Sequence, residues 1–281
     1  MDIRKIKPLR VGKGNAKPVK GRAIIPELYA SIFLSGKTGS GKTTVLAHLL
    51  KPGILLDKRT TVVIWASTVN IDPAWKTIVR RLRKAGIPVM TFTEVIDDDG
   101  INTLQNFLEV IQSGHEENIE EMKESEPPTV TTPSLCRFDC AETKHELAQE
   151  VKNEKKERVK VYKDDVPEYI LVYDDLDWKI LRSDWVCNLV KKSRHYKAKV
   201  FISGQMISQL TPSAYNQLSY LYLFGGFSRP NIKTIHERMK TNLDFEDFWE
   251  LYKRETEKKY SWLNINMRTG EIRRKFDKIL S

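Results

Sequence analysis

Cysteine and long apolar runs are both scarce in this sequence. Its 281 residues include three cysteines, Cys136, Cys140 and Cys187, which is too few for a disulfide framework and indicates a reducing compartment. Cys136, Cys140 and His145 could supply three zinc ligands, but no fourth is evident and the spacing is unusual, so chance placement is the better interpretation. No apolar run approaches the roughly 18 residues of a membrane span, and no signal-peptide core is found. We therefore expect a protein without a membrane span that is not secreted.

Positive charge exceeds negative charge, with 47 Lys and Arg against 37 Asp and Glu and a formal net charge of +10. Such an excess suits a polyanionic partner. Residues 1–22 carry eight Lys and Arg against one acid and are predicted to form a flexible basic arm. The arm is interpreted either as a contact with such a partner, or as a solubilising or nuclear-import tail. Residues 94–126 carry eleven acids against one lysine and are expected to lie away from any DNA path.

The stretch Gly36–Thr43 fits the pattern G-x-x-x-x-G-K-[ST] at every fixed position. An apolar strand, Ser31–Leu34, precedes it and a helix-like segment, Thr43–Leu50, follows it, as this motif requires. Glycines permit positive φ, so that backbone N–H groups converge on one anion at a helix N-terminus. Lys42 is expected to reach the β- and γ-phosphates, and Thr43 to place its hydroxyl on Mg²⁺. The residues predicted to contact ATP are Gly36, Lys37, Thr38, Gly39, Ser40, Gly41, Lys42, Thr43 and Thr44.

A second motif follows about 130 residues downstream, where the apolar run Tyr169–Tyr173 predicts a buried strand. It ends in two acids. Asp174 stands where a Walker B carboxylate orients Mg²⁺ through water, and Asp175 is placed to polarise the attacking water as a general base. An ordinary strand-ending turn is the alternative interpretation of the pair. In ATPases with these two motifs, glutamate is commoner at the second acidic position. The side chain of Asp175 is shorter than glutamate by one methylene.

Two further polar residues complete the candidate site. The strand Lys199–Gln205 ends in Gln205, whose amide can both donate and accept, and which is expected to sense the γ-phosphate. The segment before this strand has helical spacing, a candidate cap at Ser183, and a basic end. That end contains Lys191, Lys192, Arg194, Lys197 and Lys199. It is interpreted either as a solvated helix end that complements the helix dipole, or as an arginine finger, Arg194, aimed at a neighbour's nucleotide with lysines serving nucleic acid.

In this order, the phosphate loop, the paired acids, Arg194 and Gln205 resemble the FtsK–HerA branch of P-loop motors. Within that branch the pattern is similar to the DNA-packaging ATPases of large DNA viruses, virophages and polinton-like elements. The resemblance covers roughly residues 30–224. It implies a ring of five or six subunits that hydrolyses ATP with Mg²⁺ and drives double-stranded DNA into a capsid.

Roles carried over from the resemblance fall on matching positions. Lys42 and Thr43 take nucleotide and Mg²⁺, and Asp174 and Asp175 take the metal and base roles. The trans finger falls on Arg194 and the sensor on Gln205. Capsid proteins are the implied docking partners, and a virion or the interior of a host cell, whether cytoplasm, viral factory or nucleus, is the implied location.

Strands that alternate with helices predict an α/β fold with a mainly parallel sheet, helices on both faces, and nucleotide at the carboxyl ends of the strands. An extra strand beside the phosphate loop is expected from the resemblance. Residues 23–281 are predicted to form one ATPase domain with a charged insertion at about 114–168. Within it, residues 114–140 are expected to be a surface loop and 142–163 an exposed helix. Residues 260–276 predict a C-terminal β-hairpin.

Several rival functions share a phosphate loop. A GTPase would need a base-reading Asn-Lys-x-Asp, which the sequence does not contain. A small-molecule kinase would use an Arg-rich lid instead of a glutamine after Walker B. A nucleotide-gated assembly protein without turnover would not need a positioned water, so paired acids and a sensor argue against it. Another DNA translocase, a helicase-like ATPase or a plasmid-mobilising motor stays open beside packaging.

Overall fold

The structure, a computed structural model, describes residues 18–96, 100–124 and 164–280; the side chains of residues 114–124 and Lys278 are not described. Residues 18–112 and 164–280 belong to one compact unit, and the described part of a second unit is the helical stretch 113–124. Most of the predicted basic arm, Cys136, Cys140, His145 and the predicted helix at 142–163 lie outside the described residues.

The described residues form nine strands and eight α-helices. The strands are β1 (Ala30–Ser35), β2 (Thr61–Ala66), β3 (Val89–Phe92), β4 (Tyr169–Asp174), β5 (Ala198–Gly204), β6 (Tyr220–Phe224), β7 (Trp262–Asn266), β8 (Ile272–Arg274) and β9 (Lys278–Ile279). The helices are α1 (Lys42–Leu49), α2 (Pro73–Lys84), α3 (Thr103–Glu124), α4 (Trp178–Leu181), α5 (Asp184–Lys192), α6 (Pro212–Tyr215), α7 (Arg229–His236) and α8 (Phe245–Thr256).

All nine strands join one sheet in the order β3-β2-β4-β5-β1-β6-β7-β8-β9. The pairings from β3 to β6 are parallel, and those from β6 to β9 are antiparallel. Strand β5 lies between β1, which leads into the phosphate loop, and β4, which ends in Asp174. The predicted α/β fold, the extra strand beside the phosphate loop and the C-terminal hairpin are therefore confirmed.

Helices cover both faces of the sheet, so its inner strands β1, β5 and β6 are buried along their whole length. One face packs against α1 and α2 through Leu46, Leu49, Trp75, Ile78 and Leu82. The other face packs against helices that include α5 and α8, through residues such as Val186, Leu189, Phe248 and Leu251. Because parallel strands point the same way, their carboxyl ends meet at one edge, where the candidate site lies.

Two predictions along the chain need correction. Residues 114–124 were expected to begin a surface loop, but they continue α3 without a break to Glu124. Lys199 was grouped with a solvated basic cluster, yet it is the second residue of β5 and is fully buried. A strand between two neighbours has no solvent-facing side here, so Lys199 cannot bind nucleic acid. The predicted cap at Ser183 is confirmed, since its Oγ accepts from the backbone N–H of Val186 at 3.4 Å.

No helix in the described ranges is long and apolar enough to cross a membrane. The same ranges contain no group of three or more His, Cys, Asp or Glu residues arranged to hold a metal.

Candidate nucleotide-binding site

The phosphate loop connects β1 to α1 and depends on its glycines for different reasons. Gly39 and Gly41 have φ of 77° and 101°, which favours glycine over residues with a Cβ. At Gly36 the constraint is space, because a Cβ there would lie 2.5 Å from Ser40 Oγ and 2.8 Å from Phe224 Cβ. The Gly36 N–H donates to the Gly204 carbonyl at 3.1 Å. This bond ties the start of the loop to the end of β5.

Lys42, the first residue of α1, curls back over the loop. Its Nζ donates to the carbonyl oxygens of Gly36 at 2.7 Å and Lys37 at 3.2 Å. The side chain is 8% exposed, and this burial lowers the pKa of Lys42, while Asp175 and Asp174 act in the opposite direction. The lysine therefore holds a cationic group at the centre of the loop, where the phosphates of a bound nucleotide would lie.

Asp174 closes β4 beside the first turn of α1. Its Oδ2 accepts from Thr43 Oγ1 at 3.3 Å and from Trp75 Nε1 at 2.9 Å. Burial raises the pKa of Asp174, and the hydrogen bonds from Trp75 and Thr43 oppose that rise. A carboxylate beside a hydroxyl offers the hard oxygen ligands that Mg²⁺ prefers. These two side chains fit the expected metal role, which stays a prediction.

Asp175 turns the chain sharply away from the sheet. Its φ is 53°, in the left-handed region that non-glycine residues seldom adopt, although aspartate tolerates it better than most. The backbone N–H of Asp175 donates to the Ser203 carbonyl at 3.3 Å, and its side chain is exposed. Backbone strain of this kind concentrates at functional sites. The turn leaves the carboxylate free at the edge of the sheet that carries the phosphate loop.

Gln205 follows β5 at the same edge. Its backbone carbonyl accepts from Ser35 Oγ at 3.4 Å, next to the start of the loop. The following turn is fixed by Gln209, whose Oε1 accepts from the backbone N–H groups of Gln205 at 2.8 Å and Met206 at 3.0 Å. The Gln205 side chain is exposed. Lys42, Asp174, Asp175 and Gln205 thus meet at one edge of the sheet.

Arg194 does not join them. It lies in the turn between α5 and β5, at the amino end of the strand whose carboxyl end carries Gly204. The seven residues of β5 separate the two ends by roughly 20 Å, at about 3.3 Å per residue. An arginine side chain cannot span that distance along the sheet. The exposed Arg194 therefore lies away from the phosphate loop of its own chain.

Two residues at the site, Trp75 and Gln209, could not be predicted from the sequence. Trp75 is fully buried on α2 and is 99 residues from the carboxylate that it contacts. Gln209 orders the turn that carries Gln205. Sequence spacing contains no signal for either contact, because both depend on how separate elements pack.

A basic groove lies along α2, away from the phosphate loop. Its volume is about 550 Å³, and it is lined by Lys76, Arg80, Arg83 and Lys84 together with Val69, Asn70, Val79 and Thr91. Arg80 follows Lys76 by four residues, and Arg83 and Lys84 follow Arg80 by three and four, so the four cations share one helix face. None of the side chains that line the groove is acidic. This face offers a concentrated positive surface.

Comparisons with known proteins give structural likeness at low identity. No protein-family model matches this sequence, and no curated protein matches it. The genome-packaging NTPase of Sulfolobus turreted icosahedral virus 2, in complex with AMPPCP, is similar with a TM-score of 0.49 and 14% identity, over 88% of this chain and 97% of that one. The DNA-packaging ATPase of Sulfolobus turreted icosahedral virus gives 0.48 and 13%, over 87% and 95%.

A third neighbour is the cytoplasmic domain of the type VII secretion ATPase EccC from Thermomonospora curvata. Its TM-score is 0.44 at 10% identity, over 86% of this chain and 23% of that one. Packaging ATPases are thus among the structural neighbours. With TM-scores below 0.5, these similarities do not assign an activity to this chain.

Proposed function

We propose that this chain is an ATP-hydrolysing motor that moves double-stranded DNA, and that its task is to package a viral genome into a capsid. One observation carries the proposal: Lys42, Thr43, Asp174, Asp175 and Gln205 come from separate elements and meet at one sheet edge. A protein that only bound nucleotide would need the first three. Hydrolysis also requires groups that orient and deprotonate a water molecule. The exposed carboxylate of Asp175 and the exposed amide of Gln205 can do this.

In the proposed reaction, water attacks the γ-phosphorus of ATP. A new P–O bond forms as the bond to the bridging β–γ oxygen breaks, giving ADP and phosphate. Asp175 accepts the proton of the water at its carboxylate, and Gln205 orients the water by accepting from it while donating to a γ-oxygen. Lys42 neutralises charge on the β- and γ-oxygens. Mg²⁺, held by Thr43 and through water by Asp174, would supply further charge neutralisation when bound.

We infer that the active site is completed by a second copy of the chain. Arg194 lies too far from its own loop to act there, whereas a ring of identical subunits would bring it to a neighbour's γ-phosphate. A guanidinium at that position stabilises charge on the transferring group. This arrangement makes turnover depend on assembly, as a motor that passes DNA between subunits requires.

DNA as the partner is supported by charge. The net charge of +10 and the basic groove along α2 both favour a phosphate backbone, since Lys and Arg release counterions on binding it. Packaging, rather than another translocation task, rests on the sequence resemblance. Capsid proteins are the proposed docking partners.

The test is ATP turnover by the purified full chain with and without double-stranded DNA. We expect turnover that DNA stimulates and that Lys42→Ala abolishes. Stimulation by a small phosphate acceptor instead of DNA would point to a kinase. Nucleotide binding without any turnover would favour a nucleotide-gated assembly protein. A DNA-stimulated enzyme that fails to engage empty capsids would favour another translocase.

A further inference from the structure

A cavity of about 480 Å³ opens directly beside the phosphate loop. Gly41 and Thr44 form its inner wall, so it begins where the loop passes into α1. The opposite wall comes from the C-terminal end of the chain, through Tyr260, Trp262, Lys275 and Phe276. The cavity thus joins an element at the start of the fold to one at its end.

Aromatic side chains that already hold each other in place form the outer wall. Phe276 packs edge-on against Trp262 at 4.8 Å between ring centroids, and Trp262 packs on Tyr222 at 4.6 Å. Tyr260 reaches the loop itself, since a Cβ on Gly41 would lie 3.0 Å from its Cδ1. Its ring is accessible, as Tyr260 is 55% exposed. A planar apolar ligand would meet aromatic surface here without rearrangement.

The same wall contains residues with strained backbone conformations. Among the described residues, four other than glycine have positive φ: Asp175, Lys197, Tyr260 and Lys275. Two of these, Tyr260 at 63° and Lys275 at 53°, line this cavity, and Asp175 lies in the candidate active site. Tyrosine and lysine tolerate this region poorly, so the surrounding structure must hold them in it. Both residues lie in turns that fix the shape of the cavity wall.

We propose that this cavity holds the base and ribose of the bound nucleotide, with the base lying against Tyr260 and Phe276. The inference rests on the nucleotide binding proposed above. A triphosphate seated in the loop leaves its nucleoside end free at the start of α1, where Gly41 and Thr44 open into the cavity. Lys51 and Asp277, which also line the cavity, offer polar groups for the ribose hydroxyls. The C-terminal hairpin is thereby a nucleotide-binding element.

The experiment compares two ligands that share a triphosphate. MgATP should use both the loop and the cavity, whereas magnesium tripolyphosphate, which has neither base nor ribose, should use the loop alone. Binding of each is measured by calorimetry to the full chain and to Tyr260→Ala and Phe276→Ala. We expect both variants to weaken MgATP about 5- to 150-fold, from base–aromatic stacking of about 1–3 kcal/mol and tenfold per 1.4 kcal/mol. Affinity for tripolyphosphate should not change.

Ile279→Ala is the matched control. Ile279 lies on β9, the strand that follows Phe276, and is 56% exposed, but it lines a different cavity, so its loss should leave both affinities intact. Thermal melting checks the fold of each variant, and the exposed Tyr260 keeps the test valid if Phe276→Ala is unstable. Equal effects on both ligands, or none on either, would overturn the inference alone. A parent chain that binds neither ligand would overturn the proposed function and the inference with it.

Discussion

Both edges of the parallel part of the sheet carry charged residues, but the two sets differ in burial and in hydrogen bonding. At the carboxyl edge, Lys42 and Asp174 are buried but bonded to the loop, to Thr43 and to Trp75. At the amino edge, Arg194 is exposed in a turn; its backbone carbonyl accepts from the N–H of Lys197 at 3.1 Å, and its guanidinium pairs with none of the described residues. The carboxyl edge thus gathers buried, bonded polar groups. The amino edge presents an exposed positive charge.

Two buried lysines sharpen this contrast. Lys42 donates to two carbonyl oxygens, so its charge is compensated where it is needed. Lys199, on β5 near the amino edge, is fully buried, and its Nζ has no hydrogen-bond partner in the described part of the chain. Burial lowers the pKa of Lys199 to about 8, and Glu27 opposes this only partly. A buried charge without partners costs stability, whereas a partnered one can serve function.

The largest expected effect tests whether the amino edge acts on a neighbour. Arg194→Ala should bind ATP nearly normally and lose about 10³–10⁵ in turnover, the range for removal of an arginine finger. Arg194→Lys should recover little, because lysine lacks the planar fork. Steady-state hydrolysis and nucleotide binding are measured together. Lys191→Ala, on the exposed end of α5, is the matched control and should hydrolyse normally.

Mixing variants separates action in trans from a structural role. Arg194→Ala subunits keep an intact loop, and Lys42→Ala subunits keep an intact finger. Some interfaces in a mixed ring then join both, so two inactive proteins should regain activity together. Absence of recovery in assemblies shown to be mixed would contradict the assignment. Arg182 or Arg229 would then be the candidates, although Arg182 donates to the Ser208 carbonyl and Arg229 pairs with Glu246.

A smaller effect is expected at the carboxyl edge. Asp175→Asn should keep nucleotide binding, since Thr43 and Asp174 remain, and lose about 10²–10⁴ in turnover as a general base is removed. Asparagine also tolerates the left-handed backbone at this position, so the fold should survive. Single-turnover hydrolysis measures the loss. Normal hydrolysis by Asp175→Asn would contradict the base assignment. Glu168 could not take over the role, because it precedes β4 at the amino edge and pairs there with Lys197 at 2.7 Å.

The sequence predicted the carboxyl edge better than the amino edge, for a physical reason. A phosphate loop and a strand ending in acids are local patterns, because glycine conformations and apolar runs are set within a few residues. The bond from Trp75 to Asp174 joins residues 99 apart, and only packing brings them together. Lys199 was placed at the start of a predicted strand and also in the solvated basic cluster. Only the position of β5 between β1 and β4 shows that this lysine is buried.

The smallest effect concerns Lys199 and bears on stability rather than turnover. Its pKa is about 8 in the folded chain and 10.5 when unfolded, so between these values the unfolded chain binds more protons. The free energy of unfolding should therefore rise with pH across that window, by about 3 kcal/mol at 1.36 kcal/mol per unit. Below pH 8 both states are protonated, and the full cost of the buried charge remains.

Lys199→Met should remove both the cost and the pH dependence, because methionine fills similar space without a charge. At pH 7 its free energy of unfolding should exceed that of the parent by up to about 3 kcal/mol, and the two should converge towards pH 10.5. Urea unfolding at several pH values measures the free energy of unfolding of both proteins. Subtracting one from the other cancels the contribution of groups that titrate in both. Lys191→Met, at an exposed position on α5, should follow the parent at every pH. Parallel pH profiles for the parent and Lys199→Met would mean that Lys199 is accessible to water and that the two lysines are not in contrasting environments.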